Sequence, residues 1–217
     1  MVYSRRHLKK RIFFTTSLFL ILITGFFMTY WIGLNSNYSQ TPMEAIEKAR
    51  GDNFLEHIVQ QQPVSDGEVV FYLRPINNDQ VVVSADYVRK TWRGWKWVTG
   101  GGHSGSGISL VKPDMSLGEP LSYQLIITRA EADFRVLFGV ILDPDITRVV
   151  VKGDRSRIQT PVNMIELRDH LRFYDVVLPY NLEESIELEA FDSQGRSRFT
   201  TMIDNQSSGL KNATVLR

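Results

Sequence analysis

Gly102-His103-Ser104-Gly105 sets a serine between glycines and beside a histidine, in the manner of a turn that presents a nucleophile. A nucleophile elbow has the form Gly-x-Ser-x-Gly and joins a strand to a helix, so that strain in the turn lifts the hydroxyl to the surface. Here position 106 is serine, and the Ile108–Pro113 stretch that follows is not a helix start. Adjacency of His103 and Ser104 in sequence does not supply the hydrogen-bond geometry that a base needs. Ser109 and Lys112 match the Ser-x-x-Lys spacing of serine–lysine acyl enzymes. That motif requires a helical turn, whereas three residues along a strand put the two side chains on opposite faces.

The four histidines, His7, His57, His103 and His170, include no pair at zinc-binding spacing. Asp143 and Asp145 lack the twelve-residue ligand pattern of a calcium loop and read as turn formers. The chain has no cysteine, which excludes disulfides, thiolate metal sites and cysteine nucleophiles. The expectation is therefore a protein that is not an enzyme, with no catalytic residue, metal or cofactor. A hydrolase built on His103, Ser104 or Lys112 is the least favoured reading.

Trp92, Trp95 and Trp97 lie in the same stretch. Trp95 and Trp97 share one face of a strand, and Trp92 is offset across Arg93-Gly94. Large aromatics on a small sheet form its core. Exposed instead, with His103 beside them, they would make a surface that stacks on a sugar ring or grips a partner.

The elements that hold these residues begin with an apolar run. Residues 12–34 contain 23 consecutive uncharged positions, enough for a helix to cross a hydrocarbon core of roughly 30 Å. Tyr30 and Trp31 stand near one end, as interface aromatics do, and Arg5, Arg6, Lys9, Lys10 and Arg11 precede the other. Basic flanks stay inside. The expectation is a plasma-membrane protein whose N-terminus is cytoplasmic and whose C-terminal part is extracellular. A cleaved signal peptide would have an apolar core of about 7–15 residues and a small-residue cleavage site, and no alanine precedes Ala45. Those five cations are the only charged residues before position 41, so 20 of the 25 basic residues face 24 acidic ones beyond it, a net charge of −4. An acidic body lacks the footprint for nucleic acid.

Beyond the apolar run we expect a linker at 35–41. Thr41-Pro42-Met43-Glu44 opens a short helix that ends at Gly51. Strands are expected at 55–60, 68–74, 80–92 and 95–98, followed by a glycine loop. This makes residues 42–112 an α+β unit, one helix on an antiparallel meander. After a break at 113–119, seven short strands within 122–203 favour an immunoglobulin-like β-sandwich over 120–204. Residues 1–11 read as a cytoplasmic tail and 205–217 as a flexible one. In the last hairpin, Ile186, Leu188 and Ala190 point inward, and Glu187 and Glu189 are expected to face Arg196 and Arg198 across a Gly195 turn.

The segment SADYVRKTWRGWKWVTGGGHS, with GEVVFYLR and the helix TPMEAIEKA before it, resembles small membrane-anchored or exported proteins of Bacillus-type (Firmicutes) bacteria. FGVILDPDITRVVV and IELEAFDSQGR are similar to their second half. The resemblance covers about residues 41–200. It implies the location and the order of an α+β module and a β-sandwich, and transfers no catalytic residue. The function expected is extracytoplasmic binding, with the bilayer as one partner through 12–34 and an envelope protein or the cell-wall polymer as another. The alternative is a regulator of an integral membrane protein, such as a sensor kinase, acting through the membrane helix.

Overall fold

The computed structural model describes residues 17, 19–30, 37–51, 54–55, 57–102, 108–109, 120–127, 134–153, 159–168, 171–179 and 185–204. Of the apolar run, residues 19–30 form a helix, α1, with its side chains exposed. Thr24 Oγ1 donates to the carbonyl oxygens of Leu20 (2.6 Å) and Ile21 (3.2 Å), which internalises the hydroxyl. No helix of the described residues is long and apolar enough to cross a membrane. The basic residues Arg5, Arg6, Lys9, Lys10 and Arg11, together with Trp31, lie outside the described residues.

Helix α2, Pro42–Arg50, follows its local signals. Thr41 Oγ1 accepts from Glu44 N (3.2 Å), and Glu44 Oε2 accepts from Gln40 N (2.9 Å), one residue ahead of the cap. At the other end Gly51 N donates to Glu47 O at 2.7 Å.

The described strands are antiparallel and form three sheets. The first holds β1 (His57–Val64), β2 (Gly67–Asn77), β3 (Gln80–Thr91) and β4 (Gly94–Gly102) in chain order, with β5 (Ile108–Ser109) pairing β3. In the second, β6 (Gln124–Ile127), β7 (Phe134–Ile141), β10 (Asn163–Arg168) and β11 (Leu171–Pro179) run in the order β10-β11-β7-β6. The third takes β8 (Ile146–Gly153), β9 (Gln159–Pro161), β12 (Ser185–Asp192) and β13 (Ser197–Asp204) in the order β13-β12-β8-β9. The protein is mainly β, as expected, and its second and third sheets pack as a β-sandwich.

The second sheet is covered on both faces. Phe134, Val136, Phe138 and Val140 pack on Val69, Phe71, Val83 and Tyr87 of the first sheet. Leu137, Ile141, Tyr174 and Val176 pack on Val149, Val151, Leu188 and Phe199 of the third. All eight residues of β7 are buried, because neither face meets water. Helix α2 closes the outer side of the first sheet, with Ala45 and Ile46 against Val70, Tyr72 and Val88. The order of layers is helix, sheet, sheet, sheet.

Two local expectations are corrected. Residues 100–102 are not a loop after strand 95–98 but the end of β4, paired with Asp86, Ala85 and Ser84. The arginines of the last hairpin do not face Glu187 and Glu189. A bulge between Ala190 and Phe191 shifts the register, so that Glu187 opposes Met202 and Glu189 opposes Thr200. Glu189 pairs with Lys152 of β8 instead. Arg196 turns to Asp192 at 2.8 Å, and Arg198 reaches Asp143 at 3.2 Å. Gly195 does take the left-handed conformation, φ 76°, and Ile186, Leu188 and Ala190 do point inward.

Candidate functional site

The β3–β4 hairpin carries the three tryptophans to different environments. Trp95 and Trp97 lie opposite Lys90 and Val88 on the face that meets α2, half-buried against the small core around Ile46 and Tyr72. Trp92 sits at the hairpin tip and is 80% exposed. His103 lies outside the described residues, as do His7, His170, Ser104 and Lys112. Ser109 pairs with Gln80 at the margin of the first sheet. Asp143 and Asp145 form a tight turn in which Asp143 Oδ1 accepts from Asp145 N at 2.9 Å. Among the described residues no group of three or more His, Asp or Glu is placed to hold a metal ion.

Beneath the tryptophans lies a node absent from the motif reading. Asp86, on the helix-facing side of β3, is 0% exposed. Its Oδ1 accepts from Arg50 Nη2 at 2.7 Å and from Trp97 Nε1 at 3.1 Å, and its Oδ2 accepts from the Tyr72 hydroxyl at 2.7 Å. The Arg50 guanidinium also lies over the rings of Trp97 (5.1 Å) and Phe54 (5.6 Å). Burial and then the Asp86 charge push the Tyr72 hydroxyl well above its ordinary pKa, which keeps it a donor. A buried carboxylate with three donors is a structural clamp, with no acceptor capacity turned outward for a substrate. One signal was visible in the sequence: a lone acid in the apolar run of β3 must have partners. Arg50, 36 residues earlier, was not identifiable as one of them.

The same node explains the glycine run. A Cβ on Gly100 would stand 1.4 Å from Asp86 Oδ1, and one on Gly102 2.4 Å from Ser84 Oγ. Gly100 and Gly102 make room for side chains of β3.

At the other end of the first sheet a cleft of about 790 Å³ opens between the β1–β2 end and β10. His57, Ile58, Leu73 and Ile76 line one side, and Ile165 and Glu166 the other. Among the described residues β1 and β10 are each paired on one side only, so the cleft is flanked by two open strand edges. Ile58 and Ile76 are exposed there. No local pattern marks this cleft, because it forms only where residues of β1, β2 and β10, distant in sequence, come together.

No protein-family model matches the chain, and no curated protein or solved structure is significantly similar to it.

Proposed function

We propose that the chain is a single-pass membrane protein of the cell envelope, related to the Bacillus-type exported proteins it resembles, that binds a partner and catalyses nothing. In this reading residues 12–34 span the plasma membrane, residues 1–11 are cytoplasmic and the β layers stand outside. The uncharged run, its basic flank and Tyr30 with Trp31 support the topology. Strand orders β10-β11-β7-β6 and β13-β12-β8-β9 support an immunoglobulin-like sandwich, since they match the order of an ABED sheet facing one built on C, F and G. The first sheet and α2 form the α+β part of residues 42–112.

The observation that carries binding is the cleft between β1 and β10. An open edge offers main-chain hydrogen bonds to an extended segment, and apolar walls take its alternate side chains. That chemistry suits a polypeptide from another envelope protein better than a polyol polymer. The test is a photo-crosslinking residue in place of Ile76 in the full-length chain in intact cells, with one at Gln194 as control. A discrete adduct at 76 that protease removes and muramidase leaves intact is expected. An adduct lost to muramidase, or none above the Gln194 control, defeats the reading.

A second reading, regulation of an integral membrane partner through the span, draws support from the pairing of Ser39 with Trp95. That pairing leaves few residues between the β layers and position 34. Replacing residues 12–34 with an unrelated span abolishes function if the helix itself signals and preserves it if the helix only anchors.

A further inference from the structure

We infer that the β3–β4 hairpin tip is a membrane-contacting element, with Trp92 and Arg93 seated in the lipid headgroup layer beside the point where the chain leaves the bilayer. The inference rests on the membrane-anchor reading of residues 12–34.

Three observations meet at this tip. The first is attachment. Ser39 and Trp95 exchange both backbone hydrogen bonds, each 2.8 Å, so the segment after α1 is tied to β4 as a short antiparallel bridge. The bridge depends on Gly94, whose φ of 124° suits glycine and where a Cβ would lie 2.4 Å from Ser39 O. From residue 34 to residue 39 the chain extends at most about 17 Å, and from Trp95 to Trp92 about 10 Å more. The tip therefore lies within about 27 Å of the end of the span, close enough to reach the headgroups. The headgroup layer is roughly 5–8 Å deep on each side.

The second observation is exposure. Trp92 is the most exposed large apolar residue described, at 80%, and it projects from a turn held by its neighbours. Thr91 Oγ1 donates to Gly94 O (2.8 Å) and accepts from Arg93 N (3.2 Å). Packing inside the protein does not account for an aromatic in that position, whereas a water–lipid boundary favours it, because indole has an apolar body and a polar N–H.

The third is charge. Residues 88–98 contain Arg89, Lys90, Arg93 and Lys96 and no acid, in a segment 41–217 that is net −4. Arg89 is held by Asp66 at 2.8 Å. Arg93 stacks over Trp92 (4.6 Å) and Tyr38 (5.8 Å), which joins hairpin and linker in one aromatic–cationic patch. Such a patch complements the phosphates of anionic lipids. Through the Ser39–Trp95 tie, seating the tip would set the tilt of the β layers on the membrane.

The chain lacks cysteine, so single cysteines can be placed at will. Spin labels at Tyr30→Cys, Arg93→Cys and Gln194→Cys are compared in the full-length protein in nanodiscs of phosphatidylcholine and phosphatidylglycerol, by accessibility to oxygen and to a nickel chelate. The expected result is a Tyr30 site in the lipid, a Gln194 site in water, and an Arg93 site with an oxygen-to-nickel ratio several-fold above that of Gln194. A Lys96→Cys label, expected to share part of the oxygen excess of the Arg93 site, should fall to the Gln194 ratio when Trp92→Asp is added, with the thermal melt unchanged. If the Tyr30 site is immersed and the Arg93 site matches Gln194, the tip stands in water and the inference fails while the anchor stands. If the Tyr30 site is itself in water, the anchor reading fails and takes the inference with it. A 93 label that moves only when soluble glycan strands are added makes the tip a polymer platform and also overturns the inference.

Discussion

Arg50 Nη2 and Asp86 Oδ1 are 2.7 Å apart, and this ion pair joins the last turn of α2 to the middle of β3. Asp86 is fully buried, so its charge is tolerated only because Arg50, Tyr72 and Trp97 all donate to it. Replacing Arg50 with methionine keeps most of the packing and leaves the carboxylate one donor and one charge short. We expect a loss of about 2–4 kcal/mol, toward the low end because Arg50 is partly exposed. Tyr72→Phe should cost about 1.5–3 kcal/mol. The double variant should cost less than the sum, since both act on one carboxylate. Urea denaturation of the four proteins in a double-mutant cycle measures this.

Gly100→Ala should be more damaging than either. The added methyl would overlap the Asp86 carboxylate and approach Ala85 O to 2.8 Å, and moving Asp86 breaks its three hydrogen bonds. Adding Asp86→Ala to Gly100→Ala should recover part of the loss by opening the space. Thermal melts of the single and double variants decide it. A Gly100→Ala protein as stable as the parent would show that β4 does not lie where described.

The tryptophans separate by position. Trp92→Ala should change stability by no more than about 0.5 kcal/mol, as surface changes do. Trp97→Ala removes a donor to Asp86 and a half-buried ring under Arg50, and should cost about 3 kcal/mol. Equal effects in a chemical melt would contradict the two environments.

Asp175 gives a dependence on pH. It is 1% exposed on β11, its oxygens have no hydrogen-bond partner among the described residues, and burial raises its pKa to about 6. The folded protein holds this proton more tightly than the unfolded chain, whose carboxyl titrates near 3.9. Its contribution is therefore fully present below pH 4, and declines as pH rises through 6. The loss is at most about 3 kcal/mol, from a shift of roughly two units. Asp175→Asn should remove the window. The stability gap between variant and parent should be wider at pH 7.5 than at pH 4.5, with the variant ahead at the higher pH. Comparing the two proteins cancels the carboxylates they share.

Helix α2 was legible because capping acts over three or four residues: Thr41, Pro42, Glu44 and Gly51 carry the instruction locally. Most strands were legible for a similar reason. Turn chemistry at Asp66-Gly67, Asn77-Asn78-Asp79 and Asp143-Pro144-Asp145 marks their ends, and the bounds of β7, β8, β11, β12 and β13 fall within a residue or so of expectation. The β-sandwich followed from counting those strands. β7 carries a further local sign. FRVLFGVI lacks the alternation of a half-wet strand, and a continuous apolar run means cover on both faces.

Relations between distant residues were not written in any local pattern. Gly100 is required by Asp86, fourteen positions earlier, and Asp86 by Arg50 on another element. Glu189 meets Lys152 of β8 and not the arginines of its own hairpin, because Thr200 lies opposite it and Arg196 and Arg198 turn to Asp192 and Asp143. The cleft at Ile76 and the patch of Tyr38 with Arg93 exist only once sheets and linker are in place. Residue types and their spacing decide what a segment of a few residues does, because those interactions are short and repeat with the backbone. Which side chains meet across layers depends on register and on packing that excludes water from both sides at once, and only the tertiary structure settles that.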